Sequence, residues 1–225
     1  MEIIIHSQKT SKKIEVNKSI ISVQSDDKSI IENLIKDYNP VIIDNCNLFF
    51  LGKTVLDEIS TYNNYPELNI VYDVIKILDL NDEFLDKKIT ELSTTEKIYL
   101  NLLRNISKIE NMIIFNNVFL GLDFHNQKTF IKVLTYLKEK YIVFISSEDV
   151  NVLYKLADFS IISSKKTIKY DDTDKIYTNV KDLIKMNLDI PDLSYITYKA
   201  KEEKNIKLYY RKDVRDIIKD IYKHV

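Results

Sequence analysis

The chain has 225 residues, 45% of them hydrophobic, so it is long enough for one domain with a sizeable core and too apolar to be disordered throughout. Its 33 basic and 34 acidic residues give a formal net charge of −1, which argues against the basic field of a nucleic-acid-binding protein. The sequence has only two glycines, Gly52 and Gly121, although loops that wrap phosphate groups depend on glycine.

Short β-like runs alternate with helical periodicity along the first 170 residues. Strands are predicted at 3–5, 20–23, 41–43, 112–115, 141–145, 159–162 and 167–170, and helices at 28–36, 68–80, 95–109, 130–140 and 150–156. The runs at 112–115 and 141–145 are wholly apolar, as expected of parallel strands buried on both faces. This order predicts an α/β fold with a mainly parallel sheet and covering helices.

The pattern changes after residue 170. Segments 180–188, 193–203 and 214–224 have helical periodicity without a strand between them, and Pro191 separates the first two. We therefore predict an α/β domain over residues 1–170 and a small helical extension over residues 171–225.

The cellular compartment is indicated by what the sequence lacks. A single cysteine, Cys46, cannot form a disulfide within the chain, which favours a reducing compartment. The N-terminus lacks the basic and apolar regions of a signal peptide. No apolar run approaches the roughly 18 residues that indicate a membrane span. We expect a cytoplasmic protein that can still associate with a membrane protein.

Three segments resemble, in order and spacing, the motifs of one protein family. Residues 84–97 (FLDKKITELSTTEK) contain a sequence similar to ELSGGQK, and residues 112–123 (MIIFNNVFLGLD) are similar to ILDEPTSGLD. Residues 144–149 (FISSED), followed by 154–158 (YKLAD), are similar to IIVSHD…LAD. These are the signature motif, the Walker B strand with its D-loop, and the switch region of ABC transporter ATPases. Each alone fits an ordinary α/β protein, whereas three in register resemble an ABC ATPase domain specifically.

Two further segments resemble the ATPases of energy-coupling factor importers and their cobalt-importing relatives. Residues 44–47 (DNCN), followed by 54–59 (TVLDEI), are similar to their Q-loop pattern FQNP…TVxxEI, and residues 176–191 with Tyr198 are similar to their C-terminal helical extension. The resemblance covers most of the chain from residue 20 onward. It implies a P-loop NTPase-like fold, with a reduced N-terminal β-subdomain because the segment between Lys28 and Asp44 is short.

The phosphate-binding loop that the resemblance implies is altered. It falls on residues 22–29 (SVQSDDKS), where Lys28 and Ser29 keep the places of the phosphate-binding lysine and the magnesium-binding serine. The glycines are absent, and Asp26 and Asp27 put negative charge where a polyphosphate would lie. Lys28 and Ser29 are the candidate nucleotide-binding residues, although a Lys-Ser pair at a helix start is also a common solvated cap.

The positions of the family's catalytic residues carry other residues here. Asn116 replaces the Walker B Asp, and Asn117 replaces the Glu that polarises the attacking water; an amide cannot act as a general base. Glu148 replaces the switch His, and Asp44 replaces the Q-loop Gln. No catalytic residue is therefore expected. ATP and Mg²⁺ are the only cofactors that the resemblance implies, and these substitutions disfavour both.

The signature and D-loop positions are partly kept. The candidate residues are Ser93, Thr94, Thr95, Glu96, Gly121 and Asp123. Thr94 and Thr95 replace the two signature glycines and are bulky where backbone must approach the other subunit's nucleotide. Gly121 and Asp123 match the D-loop, which serves contacts between two ATPase subunits in this family.

The leading hypothesis is a catalytically inactive structural or regulatory partner, a pseudo-ATPase, in an ATPase dimer of an energy-coupling factor-like ABC importer. Its partners would be a second ATPase subunit, in a homo- or heterodimer, and an integral membrane subunit at the inner face of the cell membrane. One alternative is an active ATPase subunit that powers vitamin or metal-ion import. Another is a soluble regulatory scaffold without a transporter.

Three further features of the sequence have ordinary structural explanations. The cluster Phe49-Phe50-Leu51 fits either a core segment or part of a docking groove, because the resemblance places the segment after the Q-loop near the membrane subunit. The histidines at positions 6, 125 and 224 are scattered without metal-binding spacing, so we predict no metal site. The tyrosines do not interleave with a basic patch, so no nucleic-acid partner is expected.

Overall fold

A computed structural model describes residues 1–7, 9–25, 29–46, 48–62, 68–81, 83–164 and 167–223. The chain divides into two compact units. Unit 1 comprises Met1–Glu15, Ile21–Asp37 and Ser147–Val225, and unit 2 comprises Val16–Ile20 and Tyr38–Ser146. The predicted boundary at residue 170 stays a prediction.

The described residues form α-helices and β-strands in an α/β order. The strands are β1 (Glu2–His6), β2 (Ser11–Glu15), β3 (Ser19–Ser25), β4 (Val41–Asp44), β5 (Met112–Asn116), β6 (Ile142–Ile145), β7 (Phe159–Ser164) and β8 (Thr167–Asp172). The helices are α1 (Ser29–Tyr38), α2 (Val55–Tyr62), α3 (Leu68–Ile77), α4 (Glu83–Asp86), α5 (Thr94–Ile106), α6 (Phe124–Lys138), α7 (Val150–Leu156), α8 (Thr173–Thr178), α9 (Val180–Lys185), α10 (Asp192–Lys204) and α11 (Val214–Tyr222). The predicted α/β fold with mostly parallel strands is confirmed. Strand β2 and helices α2, α4 and α8 are additions to the predicted elements.

Unit 2 is built on three parallel strands. Strand β5 pairs with β4 on one side and with β6 on the other. All four residues of β6 and the first four of β5 are buried, which explains the continuous apolar runs in the sequence. Helix α6 packs on this core, and the rings of Phe115 and Phe130 meet edge to face with centroids 5.6 Å apart. The carboxyl ends of β4, β5 and β6 therefore lie along one edge.

Unit 1 contains a parallel pair and two antiparallel pairs. Strand β3 pairs in parallel with β7, and β7 pairs antiparallel with β8. Strands β1 and β2 form a separate antiparallel pair, from Glu2↔Glu15 to His6↔Ser11. This pair is the N-terminal β-structure among the described residues. Its alternation of exposed and buried residues is typical of strands with one solvated face.

Asparagine and aspartate take backbone positions for which glycine is usual. Asn39, Asp79, Asn187 and Asn205 have φ between 45° and 56° and follow α1, α3, α9 and α10. After α10, the N–H of Ile206 donates to the carbonyl of Ala200 over 3.0 Å, as in a Schellman-type helix end. Asn and Asp tolerate the left-handed region better than other side chains do. The chain can therefore end helices with few glycines.

No helix among the described residues is long and apolar enough to span a lipid bilayer.

Candidate functional site

Strand β3 runs further than the sequence predicts. It pairs in parallel with β7 from Ile21↔Phe159 to Ser25↔Ser163. A phosphate-binding loop of the pattern GxxxxGK[ST] would already begin at Ser22. Residues held in a strand ladder cannot curl around a phosphate, so the first half of the expected loop is extended backbone. Without glycine, residues such as Val23 favour this extended conformation.

The end of the expected loop is only partly described. Ser29 is the first described residue of α1. Lys28, with Asp26 and Asp27, lies outside the described residues. Of the candidate nucleotide-binding residues, the structure therefore describes Ser29 and not Lys28.

The side chain at the position of the first loop glycine belongs to the core. The Ser22 hydroxyl is fully buried and donates to the hydroxyl of Ser160 on β7 over 2.7 Å. Ser160 in turn shares a 2.9 Å hydrogen bond with the Thr173 hydroxyl. This buried cluster satisfies its polar groups within unit 1. Ser22, where the resemblance places a glycine, thus makes a core contact.

The next polar side chain of β3 contacts the C-terminal segment. The Gln24 amide donates to the backbone carbonyl of Asp189 over 3.0 Å. A second contact joins the start of α7 to the start of α10, where Asn151 and Asp192 exchange hydrogen bonds of 2.9 and 3.1 Å. The C-terminal segment is therefore hydrogen-bonded to β3 and to α7 within unit 1.

Three side chains close a polar network at the carboxyl ends of β4, β5 and β6. Asn116 and Asp44 are direct partners in the β4–β5 register, and the Asn116 amide donates to the Asp44 carboxylate over 2.9 Å. The Asn116 side-chain oxygen accepts from the Ser146 hydroxyl over 2.7 Å. The nitrogen and the oxygen of the Asn116 side-chain amide are therefore both hydrogen-bonded within the protein.

The Asp44 carboxylate is satisfied in the same network. One oxygen accepts from Asn116, and the other accepts from the backbone N–H of Cys46 over 2.8 Å. Partial burial would raise the pKa of Asp44, but the hydrogen bonds from Cys46 and Asn116 outweigh it and hold this pKa below its usual value. Asp44 is therefore an anion whose charge is already stabilised by protein donors.

The residue after β5 adopts an unusual backbone conformation. Asn117 has a φ of 51°, in the left-handed region. Its N–H donates to the Ser146 hydroxyl over 3.2 Å, and its side-chain amide donates to the Cys46 sulfur over 3.3 Å. The side chain at the position of the water-polarising Glu thus presents a donor to a thiol and offers no proton-accepting carboxylate.

The signature segment begins α5 with a reciprocal cap. The Ser93 hydroxyl accepts from the N–H of Glu96 over 3.2 Å, and the Glu96 carboxylate accepts from the N–H of Ser93 over 2.9 Å. Lys87 also contacts Glu96 at 2.6 Å. Burial alone would raise the pKa of Glu96, but the hydrogen bonds from Lys87 and Ser93 lower it overall. The anion-binding end of α5 is therefore occupied by the protein's own carboxylate.

The two signature threonines lie at the surface of the same helix start. Thr94 is the first residue of α5 and is exposed, and Thr95 is half-buried. Their side chains add bulk where the family has glycine.

The D-loop segment keeps both of its matching residues in structural roles. Gly121 has a φ of 81°, and a Cβ there would lie 3.0 Å from the Cδ1 atom of Ile98. Asp123 caps α6 by accepting from the N–H of Asn126 over 2.8 Å, and this bond is the main reason why the pKa of Asp123 is lowered. Both features shape the turn itself.

Glu148, at the position of the switch His, is exposed between β6 and α7. The next residue, Asp149, caps α7 by accepting from the N–H of Asn151 over 2.9 Å.

A buried ion pair fixes the segment after the Q-loop. The Glu58 side chain is 0% exposed, and its carboxylate lies 2.9 Å from the Arg104 guanidinium, which is 15% exposed. The other Glu58 oxygen accepts from the N–H groups of Leu51 and Gly52 over 2.8 and 2.7 Å. Arg104 also donates to the carbonyl of Phe49 over 2.5 Å. The backbone of residues 49–52 is thus held from both sides.

Two side chains of this segment are largely exposed. Phe49 is 69% exposed and Leu51 is 65% exposed, so these two are not core residues. Phe50 is half-buried, and the Arg104 guanidinium lies over its ring at 4.8 Å from the centroid.

Comparison with known proteins identifies the fold. No protein-family model matches the sequence, and no curated protein matches it either. Solved structures match well, among them CbiO1 of Clostridium perfringens, part of the ABC transporter complex CbiONQ, with a TM-score of 0.63 and 12% identity over 85% of this chain and 92% of that chain. An inward-facing metal-chelate type ABC transporter matches with a TM-score of 0.60 and 16% sequence identity, over 78% of this chain and 81% of that chain. A dimeric ATP-binding cassette in a post-hydrolysis state, bound to ADP and Pi, matches with a TM-score of 0.54 and 12% sequence identity, over 76% of this chain and 96% of that chain. The chain has the fold of an ABC ATPase domain.

Within this ABC ATPase fold, unit 2 brings together several of the predicted positions. Asp44, Asn116 and Asn117 share one hydrogen-bond network, whereas Ser93 and Glu96 form a separate cap on α5. Among the described residues, no group of three or more His, Cys, Asp or Glu is placed to hold a metal ion.

Sequence reasoning misses the residues that hold the segment 49–52. The pattern TVLDEI includes Glu58 without marking it as a buried charge, and no motif singles out Arg104. A signal is present, because Glu58 lies beside Ile59 and three residues after Val55, both buried. A charged residue on the apolar face of a helix indicates a buried partner.

Proposed function

We propose that the chain is a degenerate ABC ATPase subunit that has a structural or regulatory role and does not hydrolyse ATP. The observation that carries the proposal is the closed network of Asp44, Asn116 and Ser146. A magnesium ion needs oxygen ligands at this edge, whereas Asn116 directs an N–H donor toward Asp44. The side chains in this network already satisfy one another without a metal–phosphate group.

The chemistry of the substituted positions supports the same proposal. Loss of general-base assistance alone lowers a rate by about 10²–10⁴-fold. Loss of a preorganised donor to the reacting phosphate costs a further factor of about 10²–10³. Strand pairing through Ser25 and the bulk of Thr94 and Thr95 at the start of α5 affect two different phosphate-binding elements of the family. These losses need not be additive, but they act in the same direction.

The proposed partners are an active ATPase subunit and an integral membrane subunit of an energy-coupling factor-like importer. Support for the type of importer comes from the Q-loop and C-terminal resemblance, and from the similarity to CbiO1, which is itself part of an ABC transporter complex. In a dimer with composite sites, this chain would supply a weakened phosphate loop to one site and a weakened signature to the other. It would associate with the cytoplasmic face of the membrane only through its partners.

We assign the contact with the membrane subunit to Phe49 and Leu51, which we call the docking surface. Both side chains are largely exposed although the backbone beneath them is hydrogen-bonded to buried charges. Other large apolar side chains, such as Phe124 and Tyr222, are at least as exposed, so the choice of this segment rests on the Q-loop resemblance, which puts it near the membrane subunit.

A purification from native membranes tests the proposal. The tagged full-length chain should co-purify with two proteins identified by mass spectrometry, one with complete Walker A and Walker B motifs and one with several membrane spans. The scaffold alternative predicts neither protein. The active-subunit alternative predicts ATP hydrolysis by the purified chain that a Lys28→Ala substitution abolishes, and that result would overturn our proposal.

A further inference from the structure

The Arg104 side chain, on α5, binds acceptors on α2, on the segment 49–52 and on its own helix. Its guanidinium donates to the Glu58 carboxylate over 2.9 Å, to the carbonyl of Phe49 over 2.5 Å and to the side chain of Asn101 over 3.0 Å. The fork of donors in a guanidinium allows one side chain to bind several acceptors in fixed directions.

Asn101 extends this arrangement to the Q-loop position. Its side-chain amide donates to the backbone carbonyl of Asp44 over 3.1 Å, while its side-chain oxygen accepts from Arg104. Asp44 in turn accepts from Asn116. A continuous set of hydrogen bonds therefore leads from the position of the Walker B acid to the backbone that carries the docking surface.

Glu58 and Gly52 complete the support from the other side. The fully buried Glu58 carboxylate accepts from the N–H groups of Leu51 and Gly52. A Cβ atom at residue 52 would lie 2.7 Å from the backbone nitrogen of Glu58, so the close approach requires glycine. One of the two glycines of the chain is thus used to seat this segment against α2.

We infer that Arg104 is the positioning residue of the docking surface, and that the hydrogen bonds from Asn116 through Asp44 and Asn101 hold this surface in its binding conformation without nucleotide. The inference rests on the proposed function, since it assumes that Phe49 and Leu51 contact a membrane subunit. It adds a role for Asn116 and Asp44, which lie where the family binds nucleotide. Their hydrogen bonds help to hold the docking surface, and we call this network, from Asn116 to Arg104, the brace.

Hydrogen–deuterium exchange of the full-length chain gives the first measurement. Arg104→Lys keeps the positive charge but cannot reach all three acceptors at once, so it weakens the hold on the Phe49 carbonyl and on Glu58. The N–H groups of Leu51 and Gly52 donate to Glu58, and their exchange should therefore accelerate about tenfold. Exchange in the core strands β5 and β6 follows global unfolding and should accelerate less than exchange at Leu51 and Gly52. Adding ATP and Mg²⁺ to the unsubstituted chain should change neither region.

Recovery of the membrane complex from native membranes gives the second measurement. Arg104→Lys should lower recovery of the multi-span subunit about tenfold. Gly52→Ala displaces the same segment by steric contact and should have the same effect, which keeps the test valid if the Arg104 variant does not fold. Phe49→Ser with Leu51→Ser should lower recovery while leaving exchange in β5 and β6 unchanged. Tyr222→Ser, which removes an exposed aromatic residue from α11, is the matched control and should have no effect.

The outcomes separate the inference from the proposed function. Faster exchange at Leu51 and Gly52 with unchanged recovery would refute the positioning role of Arg104 and leave the docking surface intact. Unchanged recovery in the Phe49 and Leu51 double variant would refute the docking surface itself. Slower exchange on addition of ATP and Mg²⁺ would show that nucleotide orders the segment, which contradicts a brace that works without it.

Discussion

The side-chain amide of Asn116 donates to the Asp44 carboxylate over 2.9 Å, and these two residues face each other directly in the β4–β5 register. An aspartate at position 116, as in the family motif, would put a second carboxylate at this distance. We therefore expect the residues at positions 44 and 116 to be energetically coupled, because an amide at one relieves the charge at the other. Two like charges so close raise the pKa of one of the pair.

This coupling predicts that Asn116→Asp makes stability depend on pH. The new carboxyl would have a folded-state pKa above its unfolded value of about 3.9, so the folded state binds more protons than the unfolded state between these two values. Stability relative to the unsubstituted chain should fall as pH rises through this window, by about 1–3 kcal/mol in the free energy of unfolding at neutral pH. Thermal melts of both proteins at intervals of about one pH unit, from about pH 4 to pH 8, would measure this difference in stability.

Two matched variants control this experiment. Asp44→Asn combined with Asn116→Asp exchanges the two groups and should recover most of the lost stability. Asn117→Asp introduces a carboxylate that faces Cys46 and should show a flatter pH profile. Parallel pH profiles for Asn116→Asp and the unsubstituted chain would show that the two positions are not coupled.

In the unsubstituted chain the pH dependence has the opposite sign. The pKa of Asp44 is lowered by its donors despite partial burial, and the pKa of Glu96 is lowered by Lys87 and Ser93 in the same way. Each carboxylate stabilises the fold above its unfolded pKa of about 4 and loses this effect as pH falls through the folded value. Asp44→Asn should therefore reduce the loss of stability in acid, measured by urea unfolding at about pH 3 and pH 7. An unchanged acid dependence would mean that Asp44 contributes nothing to it.

The Glu58–Arg104 pair predicts strong non-additivity. Glu58→Gln should cost about 3–5 kcal/mol of unfolding free energy, because Arg104 then keeps a largely buried charge without its carboxylate. Adding Arg104→Met should recover part of that loss, since a pair of neutral residues avoids the isolated charge. Chemical unfolding of the four proteins of this cycle gives the coupling. The exposed pair Lys199 and Glu203 is the control, and its removal should leave unfolding unchanged. Additive losses at Glu58 and Arg104 would contradict the ion-pair account.

The left-handed asparagines make a separate prediction about helix ends. Asn205 follows α10 with a φ of 55° and is exposed. Asn205→Gly should raise the unfolding free energy by about 0.5–1 kcal/mol, because glycine adopts this conformation without a Cβ penalty. Asn205→Ala should lower it by about 1 kcal/mol. Equal melting temperatures for the two variants would show that this backbone position does not limit stability.

The sequence predicts the strands of the sheet better than the contacts at their ends. The apolar runs of β5 and β6 identify buried strands because they are continuous and too short for a buried helix. Asp44 and Asn116 are register partners only because β4 and β5 are neighbours in the sheet, and no local sequence pattern specifies that. The extension of β3 to Ser25 escapes the sequence pattern because the family motif places a loop there, and glycine rather than the motif's spacing allows that loop to form.

The extended β3 leads to the most demanding prediction. A variant with Asp44→Gln, Asn116→Asp, Asn117→Glu and Glu148→His carries the family residues at the four substituted catalytic positions. The glutamine at position 44 avoids a second carboxylate beside the new one at position 116. It should still release no phosphate from ATP above the background of the unsubstituted chain, because residues 22–25 remain paired with β7 and lack the glycines of a phosphate loop. Phosphate release measured with Mg²⁺, alongside a melt to show that the variant is folded, tests this directly. Turnover in this variant that a further Lys28→Ala substitution removes would mean that the four side chains, and not the extended strand, are what suppress hydrolysis.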